Sequence, residues 1–212
     1  MSFYVDEALA AGGEVVELAV GTGRIAIPTA LAGAHVIGVD SSAGMLGVCA
    51  QRAREAGVEA RLDLRLGDLR RPPVDERVRL VTCPFRSYLH LRDDDERLEA
   101  LRAAHGILLP GGRLIFDVFA PGADDIAETH GRWIEREPGI DERADWDLAA
   151  QTLTLSVRGS QGSSTMTLWW IEPERWHSLL AEAGFDVLAC YGWFDRRPFA
   201  GGEDSVWIAL RK

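Results

Sequence analysis

Apolar positions in the first half of the chain fall in short blocks of five or six, separated by stretches with helical spacing. Residues 15–19 (VVELA) form a β-branched run that ends at Gly21-Thr22-Gly23. Residues 24–31 then read as a helix that Pro28 keeps short. Residues 34–39 (AHVIGV) predict a second buried strand, stopped by Asp40. Ser41 or Ser42 can cap a helix running to Glu55, with Gly57 placed for its C-terminal end. A third strand over 62–66 ends in Gly67-Asp68, residues 70–73 form an arginine-proline loop, and a fourth strand over 78–83 closes at Pro84. The acidic run 93–95 suits the start of a helix through Leu108, whose dipole it complements. Leu98, Leu101 and Leu108 give that helix its apolar stripe. Pro110-Gly111-Gly112 predicts a turn into a fifth strand, 113–119 (RLIFDVF). Five strands alternating with helices predict an open parallel α/β sheet, with the loops after the strands gathered along one ligand-binding edge.

The pattern changes after residue 119. Alternating stretches at 152–157 (TLTLSV) and 165–171 (TMTLWWI), split by 159–164, predict a small antiparallel hairpin over the sheet edge. Residues 173–183 predict a helix with Pro173 in its first turn and Gly184 beyond its end. Strands over 185–193 and 205–210 can pair antiparallel. With no repeat and no low-complexity segment, residues 1–212 read as one domain, and 120–171 as an insert.

Charge and composition narrow the chemistry. The net charge of −10 over 212 residues argues against a nucleic-acid or anionic-membrane partner. Of 23 cationic residues 22 are arginine, and the only lysine is Lys212, so phosphate-binding P-loop enzymes and Schiff-base enzymes are excluded. Cys49, Cys83 and Cys190 form no CxxC pair, and the histidines show no metal-ligand spacing, so no metal site is expected. Residues 1–14 lack a basic stretch followed by a long apolar run. A cytoplasmic location is therefore expected.

The turn Gly21-Thr22-Gly23-Arg24-Ile25-Ala26 fits the dinucleotide pattern, with Asp40 about 20 residues on. An NAD-dependent oxidoreductase is thus one reading. The distribution of acids favours another. Glu17 lies in strand 1, where a pyrophosphate would meet an unwanted negative charge but a cationic group would be welcome. Asp40 ends strand 2, where a carboxylate can accept from two ribose hydroxyls. Asp68 ends strand 3, a place to accept from an adenine amine. Together they outline an adenosine with a cationic tail.

Here the chain resembles the class I S-adenosylmethionine-dependent methyltransferases. The resemblance rests on VVELAVGTGR, VIGVD, LGD, VTCPFRSYLHL and LLPGGRLIFDV in that order, and on the tail AEAGFDVLACYGWF…SVWIALRK. It covers essentially the whole chain. One departure is Ala19, which stands where the family usually has its first glycine. The resemblance implies a mostly parallel, seven-stranded Rossmann-like α/β sheet with an antiparallel final strand and a small β insert after strand 5. Ala19, Gly21, Gly23 and Arg24 would line the amino acid portion of the cofactor, with Glu17 beside them. Asp40 and Ser41 would hold the ribose, Met45 would pack on the adenine, and Gly67, Asp68 and Leu69 would meet its amine edge. Pro84 and Phe85 would border the sulfonium.

The expected activity is methyl transfer to nitrogen or oxygen of a small-molecule acceptor, by a monomer or homodimer. His90 is the candidate base and Tyr88 the candidate for orienting the acceptor. Tyr4, Arg86 and Trp170 are candidates for the acceptor pocket, Tyr4 as a lid residue. Trp133, Trp146 and Trp169 add aromatic surface to the insert. Besides the oxidoreductase, a non-catalytic adenosyl-ligand-binding module remains open at this point.

Overall fold

A computed structural model describes residues 2–160, 162–201 and 204–212. Helix α1 (Ser2–Ala11) precedes strand β1 (Glu14–Leu18), α2 (Ala26–Leu31), β2 (His35–Asp40), α3 (Ala43–Glu55), β3 (Leu62–Leu66), β4 (Val78–Cys83), α4 (Asp94–Ile107) and β5 (Leu108–Phe119). After α5 (Ala123–Thr129) come β6 (Trp133–Glu137), β7 (Ile140–Asp147), β8 (Thr152–Gly159) and β9 (Gly162–Trp169). Helix α6 (Pro173–Glu182), β10 (Phe185–Tyr191) and β11 (Asp204–Arg211) complete the chain. The main sheet has the order β10-β11-β5-β4-β1-β2-β3, with β11 antiparallel to both neighbours and the remaining pairs parallel.

Local chemistry explains the boundaries. Ser42 caps α3 by accepting from the Met45 N–H at 3.2 Å, and Asp93 caps α4 by accepting from the Glu96 N–H at 2.9 Å. Successive residues of a strand face opposite sides of the sheet. Leu114 and Phe116 of β5 therefore enter the core beneath α4 and α6, while Ile115 enters the core beneath α1. On the first side Phe116 meets Tyr88 at 5.1 Å and Trp176 at 5.3 Å between ring centres.

Two expectations change, and the structure adds a helix that none of the patterns had marked. Residues 2–11 form a helix, because Phe3, Tyr4, Glu7 and Ala8 share one buried face. The turn expected at Pro110-Gly111-Gly112 is absorbed into β5 as an irregularity, across which the register with β4 shifts. The insert is a four-stranded antiparallel sheet, β6-β7-β8-β9, where the alternation had indicated one hairpin. Strands β6 and β7 (WIERE and IDERADWD) are so rich in charge that their period is masked. Among the described residues no helix is long and apolar enough to cross a membrane.

Candidate active site

The C-terminal ends of β1, β2 and β3 open on a groove of about 360 Å³ lined by Ala19, Asp40, Ser41, Gly67, Asp68 and Leu69. Asp40 is held from both sides. Its Oδ2 accepts from the Gly21 N–H and its Oδ1 from the Ser42 N–H, each at 2.8 Å. Each oxygen keeps a further lone pair, and the carboxylate cannot rotate without losing a backbone bond. Two acceptor oxygens held side by side fit two vicinal hydroxyls, which would donate to them.

Asp68 faces the other end of the groove and pairs with Arg70 at 2.6 Å, and Arg70 reaches on to Glu96 at 2.7 Å. Hydrogen bonds from Arg70 hold the Asp68 carboxyl below the usual carboxylate range. Met45, 48% exposed on the first turn of α3, is no part of the core. Gly67 is required by packing, since a Cβ there would sit 2.4 Å from Pro73 Cδ.

Glu17 behaves differently from an exposed acid. It is 3% exposed and accepts from the Ala26 N–H at the start of α2, yet burial pushes its pKa up to about 8. At neutral pH it is mainly protonated, so the expected fixed charge beside the cofactor is absent unless a cation lowers that value. The sign of the pH effect follows. A folded-state value raised above the unfolded one gives a contribution that is full below about pH 4.5 and lost as pH rises through about 8. Thermal unfolding of wild type and Glu17→Gln at pH 5 and pH 8.5 is the check. The wild-type Tm is expected to fall more than the variant's between the two, and parallel curves would refute the assignment.

Ala19 adopts φ 55°, a left-handed conformation that costs an alanine about 1–2 kcal/mol. Part of that is offset by the greater freedom a glycine would have in the unfolded chain. Ala19→Gly is therefore expected to stabilise the protein by about 0.5–1 kcal/mol. A differential scan showing no rise in Tm would refute the strain.

The segment after β4 reaches both this groove, through His90 and Leu91, and a second cavity, through Arg86. Pro84 is buried, Phe85 is 46% exposed, and the Arg24 guanidinium lies 4.4 Å from the Phe85 ring centre. Arg86 points the other way, into a cavity of about 400 Å³ between the end of β5 and the insert. Phe119, Trp146, Leu153 and Leu155 form its apolar wall, and Trp193 stands on its rim side, from the β10–β11 loop. Arg86 is paired with Asp204 at 2.6 Å, and Arg136 with Glu142 at 3.3 Å. Among the described residues no group of three or more His, Cys, Asp or Glu is arranged to hold a metal.

A family model described as a methyltransferase domain matches residues 15–112, which hold the groove. The cypemycin N-terminal methyltransferase of a Streptomyces species is 27% identical over 214 residues, covering 95% of this chain and 84% of the relative. The CcbJ methyltransferase from Streptomyces caelestis superposes with a TM-score of 0.86 at 26% identity, covering 99% of this chain and 94% of that one. Residues 15–112 are a methyltransferase domain, and the whole chain is similar to S-adenosylmethionine-dependent methyltransferases. CalS10, an amino pentose methyltransferase from Micromonospora echinaspora solved with S-adenosylmethionine bound, shares the fold. It has a TM-score of 0.73 at 21% identity, over 100% of this chain and 89% of that one. The oxidoreductase and non-catalytic readings give way to this family.

Within the methyltransferase, four expected placements are corrected. Tyr88 is 0% exposed, packed between Phe116 and Trp176, so it cannot touch an acceptor. Trp170 is 6% exposed in the core below the insert and lies outside the cavity that Arg86 lines. Tyr4 is 3% exposed and points under the post-β4 turn, where it is no lid. His90 lines the groove with Asp68 and Leu69, away from the cavity beyond Arg86, and partial burial lowers its pKa.

The sequence reading missed Arg70, Glu96, Trp193 and Asp204. It also missed Asp117, whose signal was a lone acid in the apolar run RLIFDVF.

Proposed function

We propose that this methyltransferase transfers a methyl group from S-adenosylmethionine to nitrogen, or less favourably oxygen, of a small-molecule acceptor seated beneath the β6–β9 insert. The observation that carries this reading is the composition of the insert-roofed cavity that Arg86 opens. Its described lining contains no histidine, tyrosine or cysteine. Two of its carboxylates are committed to arginines, and Asp125 accepts from the Gly122 N–H at 3.0 Å. A neutral amine attacks through its own lone pair and needs no protein base. A hydroxyl must lose its proton in or before the transition state, where a positioned base would be worth about 10²–10⁴-fold. The relative named for N-terminal methylation of cypemycin is consistent with nitrogen.

The cofactor supplies a methyl carbon activated by a sulfonium. In this reading the protein's own work is alignment and exclusion of water. Asp40 and Ser41 hold the ribose, Asp68 and Leu69 the base, and Ala19, Gly21 and Gly23 leave room for the amino acid portion. The apolar wall and the insert shape the acceptor's seat. Good alignment of reactants is worth about 7–11 kcal/mol of barrier.

The test uses labelled methyl donor and pairs of acceptors that differ only by amine against hydroxyl. The amine members are expected to take label preferentially. Exclusive labelling of hydroxyls would overturn the nitrogen preference, and calorimetric binding of NAD without binding of S-adenosylmethionine would overturn the whole reading.

A further inference from the structure

Phe85 and Arg86 are two successive non-glycine residues with positive φ, 57° and 60°, at the start of the segment that lines the cavity through Arg86 and the groove through His90 and Leu91. Side chains rarely adopt this conformation singly, and two in a row need a constraint from outside the turn. The constraint is visible. The Phe85 N–H donates to Asp117 Oδ1 at 2.9 Å and the Arg86 N–H to Asp117 Oδ2 at 3.1 Å. Asp117 belongs to β5 and is 5% exposed, so the turn is tied directly to the rigid sheet. A third donor comes from far away in sequence, the Tyr4 hydroxyl on α1, which donates to Oδ1.

Helix α1 is itself anchored. Glu7 is ion-paired with Arg113 at 2.7 Å and also with Arg196, while Phe3 packs on Phe194 with ring centres 5.9 Å apart.

We propose that Asp117 is a positioning residue for methyl transfer, holding the Phe85–Arg86 turn in its left-handed form through both backbone amides, and that Tyr4 makes α1 part of that clamp. Asp117 touches neither groove nor cavity. It acts through the turn, which sets Arg86 in the cavity and leads on to His90 and Leu91 at the groove. Burial raises the pKa of the Asp117 carboxyl. The three donors oppose that rise, although the net direction is still upward. A side chain kept in so unfavourable a place for packing alone would be better replaced by an apolar one.

Asp117→Asn is the discriminating variant. An asparagine offers one acceptor oxygen, so in either rotamer its NH₂ must face one of the two amide N–H groups. The proposal rests on the methyl-transfer reading. For that reason two readouts are used, measured well below the variant's Tm. Amide hydrogen exchange at Phe85 and Arg86, read with no acceptor present, is expected to rise at least about tenfold, with the sheet amides unchanged. At saturating acceptor, kcat is expected to fall about 100-fold, as misplacement by roughly 1 Å produces, while the Kd for S-adenosylmethionine stays within about threefold.

A wrong acceptor assignment abolishes turnover in wild type and variant alike and leaves the exchange result standing. Wild-type kcat, or cofactor affinity falling by the same factor as kcat, overturns the positioning role. Should Asp117→Asn not fold, Tyr4→Phe tests the same clamp, since both amides keep their acceptor. There kcat is expected to fall about tenfold at unchanged cofactor Kd, in proportion to one lost charge-assisted bond. A folded Tyr4→Phe enzyme with wild-type kcat and wild-type exchange at both amides overturns the proposal.

Discussion

Replacing Asp40 with alanine is expected to weaken S-adenosylmethionine binding by more than tenfold, and on the order of 100-fold if both ribose hydroxyls are held. The carboxylate does two jobs at once. It accepts from the Gly21 and Ser42 N–H groups at 2.8 Å, which fixes the turn after β1 against the start of α3. In the reading given above, its remaining lone pairs take the sugar. Hydrogen bonds to a charged group are each worth about 1.5–3 kcal/mol, and tenfold in Kd corresponds to about 1.4 kcal/mol.

Asp40→Asn separates the roles, because its single acceptor oxygen can keep one backbone bond while its NH₂ opposes the other donor. Isothermal calorimetry with S-adenosylmethionine and S-adenosylhomocysteine reads the effect directly. Full affinity in Asp40→Ala would sink the ribose assignment. An equal loss for both ligands is expected, since they share the nucleoside.

Gly23→Ala is expected to be the more damaging change to the fold. At φ 81° an alanine is strained whatever the space, and here there is none. An added Cβ would lie 2.6 Å from Cys49 Sγ and 2.8 Å from Ile27 Cδ1. Cys49 is fully buried on α3, so the clash falls on the interface between α2 and α3, and not on a free side chain. Strain of about 1–3 kcal/mol and overpacking of about 1–3 kcal/mol add to a loss of several kcal/mol. For a chain of this size the Tm should drop by roughly 5–15 °C. Denaturant unfolding giving a loss under about 1 kcal/mol would show that the turn relaxes easily. Gly21, whose nearest neighbour to an added Cβ is 4.0 Å away, carries only the backbone penalty. The same substitution there should cost clearly less, which makes the pair an internal control.

These two residues also mark what could be read from the chain alone. Gly23 and Asp40 were legible because their roles are local. A strand, a glycine turn and an acid about 20 residues on are set by neighbours in sequence, and β3 and β4 were predicted with their observed bounds for the same reason. Tyr88 and His90 show the opposite case. They lie close together on the 3-10 turn Ser87–His90, yet one is sealed among aromatic rings and the other faces the groove. Nothing in SYLH says which way either points. Just before that turn, the Phe85 and Arg86 amides are tied to Asp117 on β5, and Asp117 in turn to Tyr4 near the N-terminus, partners that no local pattern announces.

The insert failed for a related reason. Strands β6 and β7 carry charge on both faces, so the alternation that betrays a half-buried strand is missing, and pairing with β8 supplies what periodicity could not.

From its order of residues alone, the chain settled the parallel sheet, the glycine turn and the acids at successive strand ends, because backbone propensity, burial period and turn chemistry act over a few residues. Tertiary structure alone decided the protonation of Glu17, the hydrogen bonds that tie the post-β4 turn to β5 and the walls of the cavity beneath the insert. Each of these depends on groups brought together across the fold, where burial and long-range hydrogen bonds outweigh any local preference.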